Sequence, residues 1–377
     1  MTSDFASVGA YARELAQFLR DDPRVAPYRG YRPPGHDDAE AHYLGLRRLL
    51  FDEGWSRYGW PALVEGLGGG SLFRAALLEQ MWVADVAVPE QYYTLDFMVE
   101  VLLRFAPHLA ERYAPRMLRA DETWCQAFSE PEAGSDLASL RTRLEADGDD
   151  WRITGQKTWS TNAQNAQRSL MLTRSGEPGH RGLTMVFLDL DQAGVEVRPI
   201  VGENGEPLFA EIFLDGALVP ADRVVGDVGG GWAAAMHILQ WERGSWSWQQ
   251  QARFHTRLRQ ALEIGAPVTP ADAAALGRAY ACTTALRLHT LDTVARLATG
   301  AQLGPEVALD KLLTMDAEVA VWDAIREHLG DAIDFGDEHA WLRSEFLFSR
   351  AAPIYGGTQD IQRGLVANRI LGMPRSP

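Results

Sequence analysis

Apolar residues recur at three- and four-residue spacing over the first third of the chain, in segments near 40–53, 71–87, 91–105 and 107–120. This spacing predicts amphipathic helices, and Gly- and Pro-rich stretches such as GWPALVEGLGGGS separate them. The first 22 residues have early acidic positions and no small-residue cleavage site, which indicates a first helix and not a secretion signal. We predict an all-α domain over residues 1–122.

The pattern changes after Thr123 to short β-branched or alternating runs: WRITG, RSLMLTR, LTMVFLDL, VEVRPI and AEIFLDG. Turn-forming stretches such as DGDD, SGEPGHRG and GENGEP divide these runs, as expected for strands joined by tight connections. The pattern predicts a β domain over residues 123–228.

Helical spacing returns at Gly231 and continues almost to the end of the chain. Two apolar stripes mark it, one at Leu276, Tyr280, Thr284, Leu288, Leu291 and Ala295, the other at Met315, Val319, Trp322 and Leu329. Gly330 is well placed to end the second helix. We predict an all-α domain over residues 229–377, so the chain as a whole is an α+β multidomain protein with its strands between two helical units.

Composition narrows the range of functions. The formal net charge is -15, which argues against nucleic-acid partners and against docking on an anionic membrane. The two cysteines, Cys125 and Cys282, are far apart, so neither a disulfide framework nor a structural zinc site is expected and a cytoplasmic location fits. No apolar stretch is long enough to span a bilayer. Dinucleotide-binding and phosphate-loop glycine motifs are missing, and no metal site is predicted.

Two segments at the start of the β domain carry candidate chemistry. The first, QAFSEPEAGSD over residues 126–136, reads by itself as a well-made turn between the helical and β units. The second, ITGQKTWSTN over residues 153–162, places Trp159 and Thr161 at a strand end, where a lone Trp would ordinarily belong to the core.

Together with the C-terminal IYGGTQDIQRGLVANRILGMPR, these segments resemble the acyl-CoA dehydrogenase family. The resemblance covers nearly the whole chain. It implies an N-terminal helical bundle, a central β-barrel or sandwich and a C-terminal four-helix bundle, with FAD as the cofactor and an acyl thioester as the substrate.

The resemblance also implies roles for individual residues. Phe128 and Ser129 would lie against the flavin ring, and Gly134 and Ser135 would line the channel for cofactor and thioester. Trp159 would cover the flavin face opposite the substrate, and Thr161 would bond near the reactive N5 atom. Thr358 would approach the adenosine half of FAD across a subunit interface.

The base that removes the α-proton is not at its commonest family position. Many members carry a Tyr-Glu-Gly-Thr motif there, whereas this chain has Tyr355-Gly356-Gly357-Thr358, and a glycine cannot act as a base. A subset of the family carries Glu followed by Arg on the first long helix of the C-terminal domain, which matches Glu242 and Arg243. Ile238, Leu239 and Trp246 are apolar helical neighbours of Glu242, so we expect its carboxyl group to be desolvated and its pKa raised. Arg243 either positions the base or forms an ordinary salt bridge.

Three tryptophans surround the same position: Trp241, Trp246 and Trp248. They either shape a pocket for the acyl group or pack between helices, and we favour packing for at least two of them.

The stretch EIGAPVTPADAA lacks the Arg-x-x-Phe-Gly segment with which many members reach a partner's FAD phosphates. Arg253 or Lys311 could substitute for it.

Alternative functions remain open at this point. The substrate could be an acyl-CoA or an acyl group on a carrier protein. The protein could instead be a flavin monooxygenase of the same fold, or the non-catalytic subunit of a heteromeric dehydrogenase. The resemblance implies a homodimer or homotetramer and an electron-transferring flavoprotein as electron acceptor.

Overall fold

The computed structural model describes residues 7–32, 35–86, 88–266 and 269–374, with the backbone alone at 36 and 37. Five helices come first: α1 (Val8–Asp21), α2 (His36–Asp52), α3 (Ser71–Val83), α4 (Glu90–Phe105) and α5 (Pro107–Leu118). Residues 1–6 of the predicted N-terminal domain and residues 375–377 of the predicted C-terminal domain lie outside the described residues. The same holds for residues 267 and 268 in the stretch EIGAPVTPADAA. None of the described helices has the length and apolar character needed to cross a membrane.

One sheet follows the helices. Its strands are β1 (Trp124–Ala127), β2 (Arg143–Asp147), β3 (Asp150–Thr161), β4 (Arg168–Arg174), β5 (Leu183–Asp189), β6 (Val195–Ile200), β7 (Phe209–Val219) and β8 (Val224–Val225). The strand order is β6-β7-β3-β2-β4-β5-β8, and β1 pairs with β4 in parallel. The long β3–β7 pair is antiparallel, with a register shift between Lys157 and Ser160. Such a bulge re-aims the side chains next to it.

The C-terminal helices are α6 (Gly231–Ile264), α7 (Pro270–Ala298), α8 (Val307–Leu329), α9 (Asp331–Asp334), α10 (Ala340–Ser349) and α11 (Gln359–Leu365), followed by a π-helical turn at Val366–Ile370. Thr269 and Asp272 form a capping box at the start of α7. Gly330 ends α8 at a positive φ of 51°, as the sequence predicts.

The apolar stripe that predicts α7 is not the face by which this helix packs. Tyr280, Leu288 and Leu291 are 59%, 67% and 48% exposed, whereas Ala279 and Leu286 are fully buried. The packed face also uses buried threonines, which a hydrophobic pattern does not register. The periodicity thus identifies the helix, but contacts with α6 and α8 decide which side is covered.

One hydrophobic core joins the sheet to the helices on both sides of it. Leu102 on α4, Trp124 and Phe187 in the sheet, and Ile238 and Trp241 on α6 all belong to this core. Each large apolar side chain buried there stabilises the folded state by about 1.5–3 kcal/mol. The shared core fixes α4, β1 and α6 against one another.

A largely buried ion triad ties α10 to α6. Glu345 lies 2.9 Å from Arg253 Nη2 and 2.6 Å from Arg257 Nη2, and the two arginines are one helical turn apart. Burial by itself raises the pKa of Glu345, but the two guanidinium groups outweigh it and bring this pKa to about 2. Because the pKa is lowered on folding, the triad stabilises the protein above the unfolded pKa of about 4.3 and loses that effect as the pH falls towards 2.

We expect Glu345→Gln to reduce the free energy of unfolding by about 3–5 kcal/mol at pH 7, because two arginines lose their buried partner. The deficit relative to the original protein should shrink between pH 4 and pH 2. Urea unfolding across this range measures it. The exposed Glu338 provides a control, since Glu338→Gln removes the same charge without a buried ion pair. Equal losses for the two variants would contradict the account.

Candidate active site

The loop after β1 is held by a buried lysine. Lys157 Nζ on β3 donates to the Phe128 carbonyl at 3.1 Å and to Glu130 Oε1 at 2.8 Å. The Thr158 amide donates to the Ser129 carbonyl at 3.0 Å. Burial lowers the pKa of Lys157 to about 8, and Glu130 opposes that shift. Phe128 and Ser129 are therefore fixed beside the end of β3.

The same loop becomes open a few residues later. Gly134 and Ser135 are exposed, and a Cβ atom added at Gly134 would meet no protein atom within 4 Å. The segment that sequence analysis assigns to the ligand channel thus borders free space.

Trp159 lies on the surface of the sheet and not in its core. Its φ is +58°, in the left-handed region, at the bulge where β3 changes register. The side chain is 59% exposed. A bulky residue in this conformation costs on the order of 1–3 kcal/mol, and such strain is concentrated at binding sites. Thr161 follows at the strand end, paired with Phe209 on β7.

These residues fit a flat aromatic cofactor. An exposed indole ring, neutral backbone and hydroxyl groups at Ser129 and Thr161, and the open space at Gly134 lie along adjacent segments. An aromatic wall with neutral donors can stack on a flavin ring and bond its polar edge without adding charge.

Glu242 lies near the middle of α6 with an enclosed carboxyl group. Burial is the largest influence on it and raises the pKa of Glu242 above its ordinary value, as the sequence predicts. Arg243, Tyr93 and Lys311 oppose the rise, and the Gln126 side chain on β1 does so more weakly. The buried Oε2 atom has no hydrogen-bond partner among the described residues. A carboxylate in this state is a strong proton acceptor.

Gly356 lies next to this carboxyl group. Its φ is +63°, and a Cβ atom added there would be 3.9 Å from Glu242 Oε1 and 3.8 Å from Lys311 Nζ. Glu242 on α6 and Gly356 in the loop therefore border the same space. Because Gly356 has no side chain, the Glu242 carboxyl group has this space to itself on that side.

Arg243 points to the next part of the loop. A Cβ atom added at Gly357 would be 3.6 Å from Arg243 Nη2 and would collide with the buried amide of Gln362. Within the described part of the chain Arg243 makes no ion pair within 4 Å, so the salt-bridge alternative finds no support. Thr358 caps α11, its hydroxyl accepting from the Ile361 amide at 3.4 Å.

A series of ring contacts connects Trp246, one helical turn from Glu242, with Trp159. Centroid distances are 5.4 Å for Trp246–Tyr355, 5.6 Å for Tyr355–Phe348, 6.3 Å for Phe348–Phe209 and 5.8 Å for Phe209–Trp159. The structure thus brings Glu242 on α6, the Tyr355–Thr358 loop and the β-domain segments to one region. No contact of Ser135 with this region is described.

Two of the three tryptophans near Glu242 pack between helices, which is the interpretation that we favour from the sequence. Trp241 and Trp248 are buried, and Trp248 Nε1 donates to the Ala75 carbonyl at 3.1 Å, so both pack between helices. Trp246 remains half-buried against Tyr355. A cavity of about 270 Å³ lies beside Trp241, lined by the end of α4, by His237 and Gln240 of α6, and by residues 300–302.

Two residues considered for the FAD phosphates have other partners, and two residues near Glu242 are not identified from the sequence. Arg253 is paired with Glu345, and Lys311 is 2% exposed beside Glu242, so neither is free to replace a surface arginine at FAD phosphates. Tyr93 and Gln126 reach the Glu242 carboxyl group from α4 and β1. No motif marks Tyr93, whereas Gln126 opens a segment that the sequence does single out.

Comparison with known proteins assigns the chain to a class of flavoprotein oxidoreductases. The sequence profile of the acyl-CoA dehydrogenase middle domain matches residues 125–217, and that of the acyl-CoA dehydrogenase C-terminal domain matches residues 229–371. The chain is 35% identical to the acyl-CoA dehydrogenase IpdE1 of Mycobacterium tuberculosis over 93% of each chain. It is 32% identical to IpdE1 of Mycolicibacterium smegmatis over 98% of each.

Solved structures share the fold. The Tcur3481–Tcur3483 steroid ACAD matches with a TM-score of 0.82 and 23% identity over 100% of both chains. The ChsE4–ChsE5 complex of Mycobacterium tuberculosis matches with a TM-score of 0.79 and 21% identity over 100% of both chains. The chain belongs to the acyl-CoA dehydrogenase family, whose members are FAD-dependent oxidoreductases. This confirms the family resemblance and the α+β fold that the sequence predicts.

Proposed function

We propose that the protein catalyses the α,β-dehydrogenation of an acyl thioester, with Glu242 as the base that removes the α-proton. The observation that carries the proposal is the enclosed Glu242 carboxyl group, which has an unpartnered oxygen and faces the space that Gly356 leaves open. A general base must be desolvated and have an unobstructed approach to the proton that it takes.

The surroundings of Glu242 suit both of its protonation states. The charged groups of Arg243 and Lys311 and the Tyr93 hydroxyl stabilise the carboxylate before proton transfer. Burial favours the neutral acid that forms after it. The pKa of Glu242 is therefore raised, while both the carboxylate and the neutral acid are stabilised by part of the surroundings. Gln126 connects it to the strand from which the flavin-facing loop begins.

FAD, when bound, supplies the acceptor for the hydride that leaves the β-carbon. In this proposal the exposed ring of Trp159 stacks on the flavin, and Phe128, Ser129 and Thr161 bond or cover its polar edge. Gly134 and Ser135 border the channel, and Thr358 approaches the adenosine half. Arg243 orients the loop that carries Gly356 and Gly357. Electrons then pass to an electron-transferring flavoprotein.

We expect Glu242→Gln to retain FAD and to slow flavin reduction by an acyl thioester about 10³-fold, because an amide cannot accept the α-proton. Anaerobic stopped-flow absorbance at the flavin band measures the rate. Glu263→Gln, an exposed change on the same helix, is the matched control and should behave like the original protein. Reduction of the Glu242→Gln flavin at near the original rate would overturn the assignment. Oxygen uptake by NADH-reduced flavin would favour the monooxygenase alternative.

The acyl group is proposed to be bulky and ring-bearing. Tyr93 interacts with the Glu242 carboxyl group, Trp246 packs against Tyr355, and Gly356 adds no side chain beside them. Flat aromatic walls favour a rigid, apolar acyl group over a flexible chain. The likeness to a steroid ACAD agrees with this substrate class.

A test of the acyl group compares Gly356→Ala with the original protein. The new methyl group would lie in contact with Glu242 Oε1 and Lys311 and fill part of the pocket. We expect kcat/KM for a polycyclic acyl thioester to fall about tenfold more than for butyryl thioester. CoA and carrier-protein esters of the same acyl group, assayed side by side, distinguish the two carriers. Equal losses for both acyl groups would contradict a bulky substrate.

The protein is also proposed to work as an oligomer. The exposed apolar face of α7, with Tyr280, Leu288 and Leu291, offers a surface for another subunit. We propose a homodimer or homotetramer, as the family resemblance implies. Similar structures that contain two different chains favour a companion chain as the second candidate. The presence of Glu242 favours a catalytic role for this chain in either assembly.

A further inference from the structure

Lys311 of α8 is a buried cation next to the proposed base. It is 2% exposed, and its Nζ atom donates to the Ala352 carbonyl at 3.1 Å. The ammonium group also lies over two aromatic rings, 4.0 Å from the Tyr355 centroid and 5.0 Å from that of Trp246. These contacts leave the side chain little freedom to move.

The ammonium group and the Glu242 carboxylate face each other across Gly356. Both Lys311 Nζ and Glu242 Oε1 are within 4 Å of the point where a Gly356 Cβ atom would lie, and this residue places no side chain between them. In a poorly solvated pocket, opposite charges a few ångströms apart attract each other, and each of these two groups shifts the pKa of the other. The interaction does not require a direct hydrogen bond.

A second carboxylate lies on the other side of the lysine. Glu318, about two turns further along α8, is fully buried, and Tyr355 Oη donates to its Oε2 atom at 2.5 Å. Glu318 is the strongest charged influence on Lys311, followed by Glu242 and then Arg243. Arg253 faces Glu318 from α6.

The groups that face Glu242 come from three helices. Arg243 is on its own helix, Tyr93 on α4 and Lys311 on α8. Arg243 lies towards Gly357, further along the loop, and it is also influenced by Asp310. Lys311 is thus the cation directed at the space above Gly356, where the acyl α-carbon has to lie.

We propose that Lys311 is a positioning residue for proton abstraction, whose ammonium charge keeps Glu242 ionised and whose bond to Ala352 holds the Gly356 loop beside it. This inference rests on the proposed function, because it requires Glu242 to be the base. Lys311 donates no proton in the step: the α-proton moves to the Glu242 carboxylate, and the lysine remains an ammonium group throughout.

The direction of the pH effect follows from the charges. Burial raises the pKa of Glu242, and the ammonium group of Lys311 counteracts the rise. Without that charge, this pKa rises further, so a larger share of the enzyme carries a protonated, inactive base at low pH. Burial lowers the pKa of Lys311 itself to about 8. The lysine is therefore charged at the pH at which the base must be kept ionised.

The test measures anaerobic flavin reduction by an acyl thioester in single turnovers between pH 5.5 and 9. We expect Lys311→Met to move the acid-side midpoint up by about one pH unit, which is a tenfold slower reduction at low pH, with recovery at high pH. Lys311→Arg keeps the charge and should restore the original midpoint. Lys311→Gln keeps a donor for Ala352 but not the charge, and should shift the midpoint as Lys311→Met does.

Glu242→Gln in the same series separates the two claims. If Glu242→Gln abolishes reduction while Lys311→Met and Lys311→Gln leave the midpoint unmoved, the role of Lys311 is overturned and the base stands. If Glu242→Gln reduces its flavin normally, the proposed function fails, and the inference with it. Flavin content and thermal unfolding of each variant show whether it is folded. A midpoint shift in either neutral variant, with rescue by Lys311→Arg, supports the proposal.

Discussion

The proposed active site depends on one constraint, a carboxyl group that burial removes from water. Glu242 is enclosed on α6, and burial favours its neutral form, while a small number of cationic and hydroxyl groups favour the charged form. Burial has the larger effect on the pKa of Glu242, and the cationic and hydroxyl groups limit the rise. A buried carboxyl group balanced in this way can hold a negative charge until a C–H proton arrives and can then keep that proton. The remaining parts of the site have to exclude water from this carboxyl group and keep it accessible to the substrate.

The fold provides this with elements that are distant in sequence. The core shared by α4, β1 and α6 places Tyr93 and Gln126 against the carboxyl group. Lys311 approaches from α8, and the Tyr355–Thr358 loop closes the space with a glycine where a side chain would fill it. The segments that we propose to face the flavin reach the same region through β1 and the bulge in β3. The contributions to the proposed site therefore come from α4, α6, α8, the sheet and the C-terminal loop.

The sequence allows much of this to be predicted, for identifiable reasons. Helical and strand periodicities define the three segments, and the motifs at residues 126–136 and 153–162 are local, so they can be recognised without coordinates. The vacancy at Gly356 and the apolar neighbours of Glu242 can also be read along the chain. Tyr93 and the partners of Lys311 could not be predicted, because their importance comes from contacts between helices. The face by which α7 packs was hidden for the same reason, since threonines fill much of it.

The central claim is that a catalytic carboxylate can be supplied from position 242 or from position 356, because both positions border the same space. It is tested most directly by moving the carboxylate, in Glu242→Ala/Gly356→Glu compared with Glu242→Ala alone. Both proteins should bind FAD, and the left-handed backbone at Gly356 makes the relocated Glu cost about 1–2 kcal/mol of stability. Anaerobic flavin reduction by an acyl thioester should be at least about tenfold faster in the double variant than in Glu242→Ala. A folded, FAD-loaded double variant that is no faster than Glu242→Ala would contradict the account.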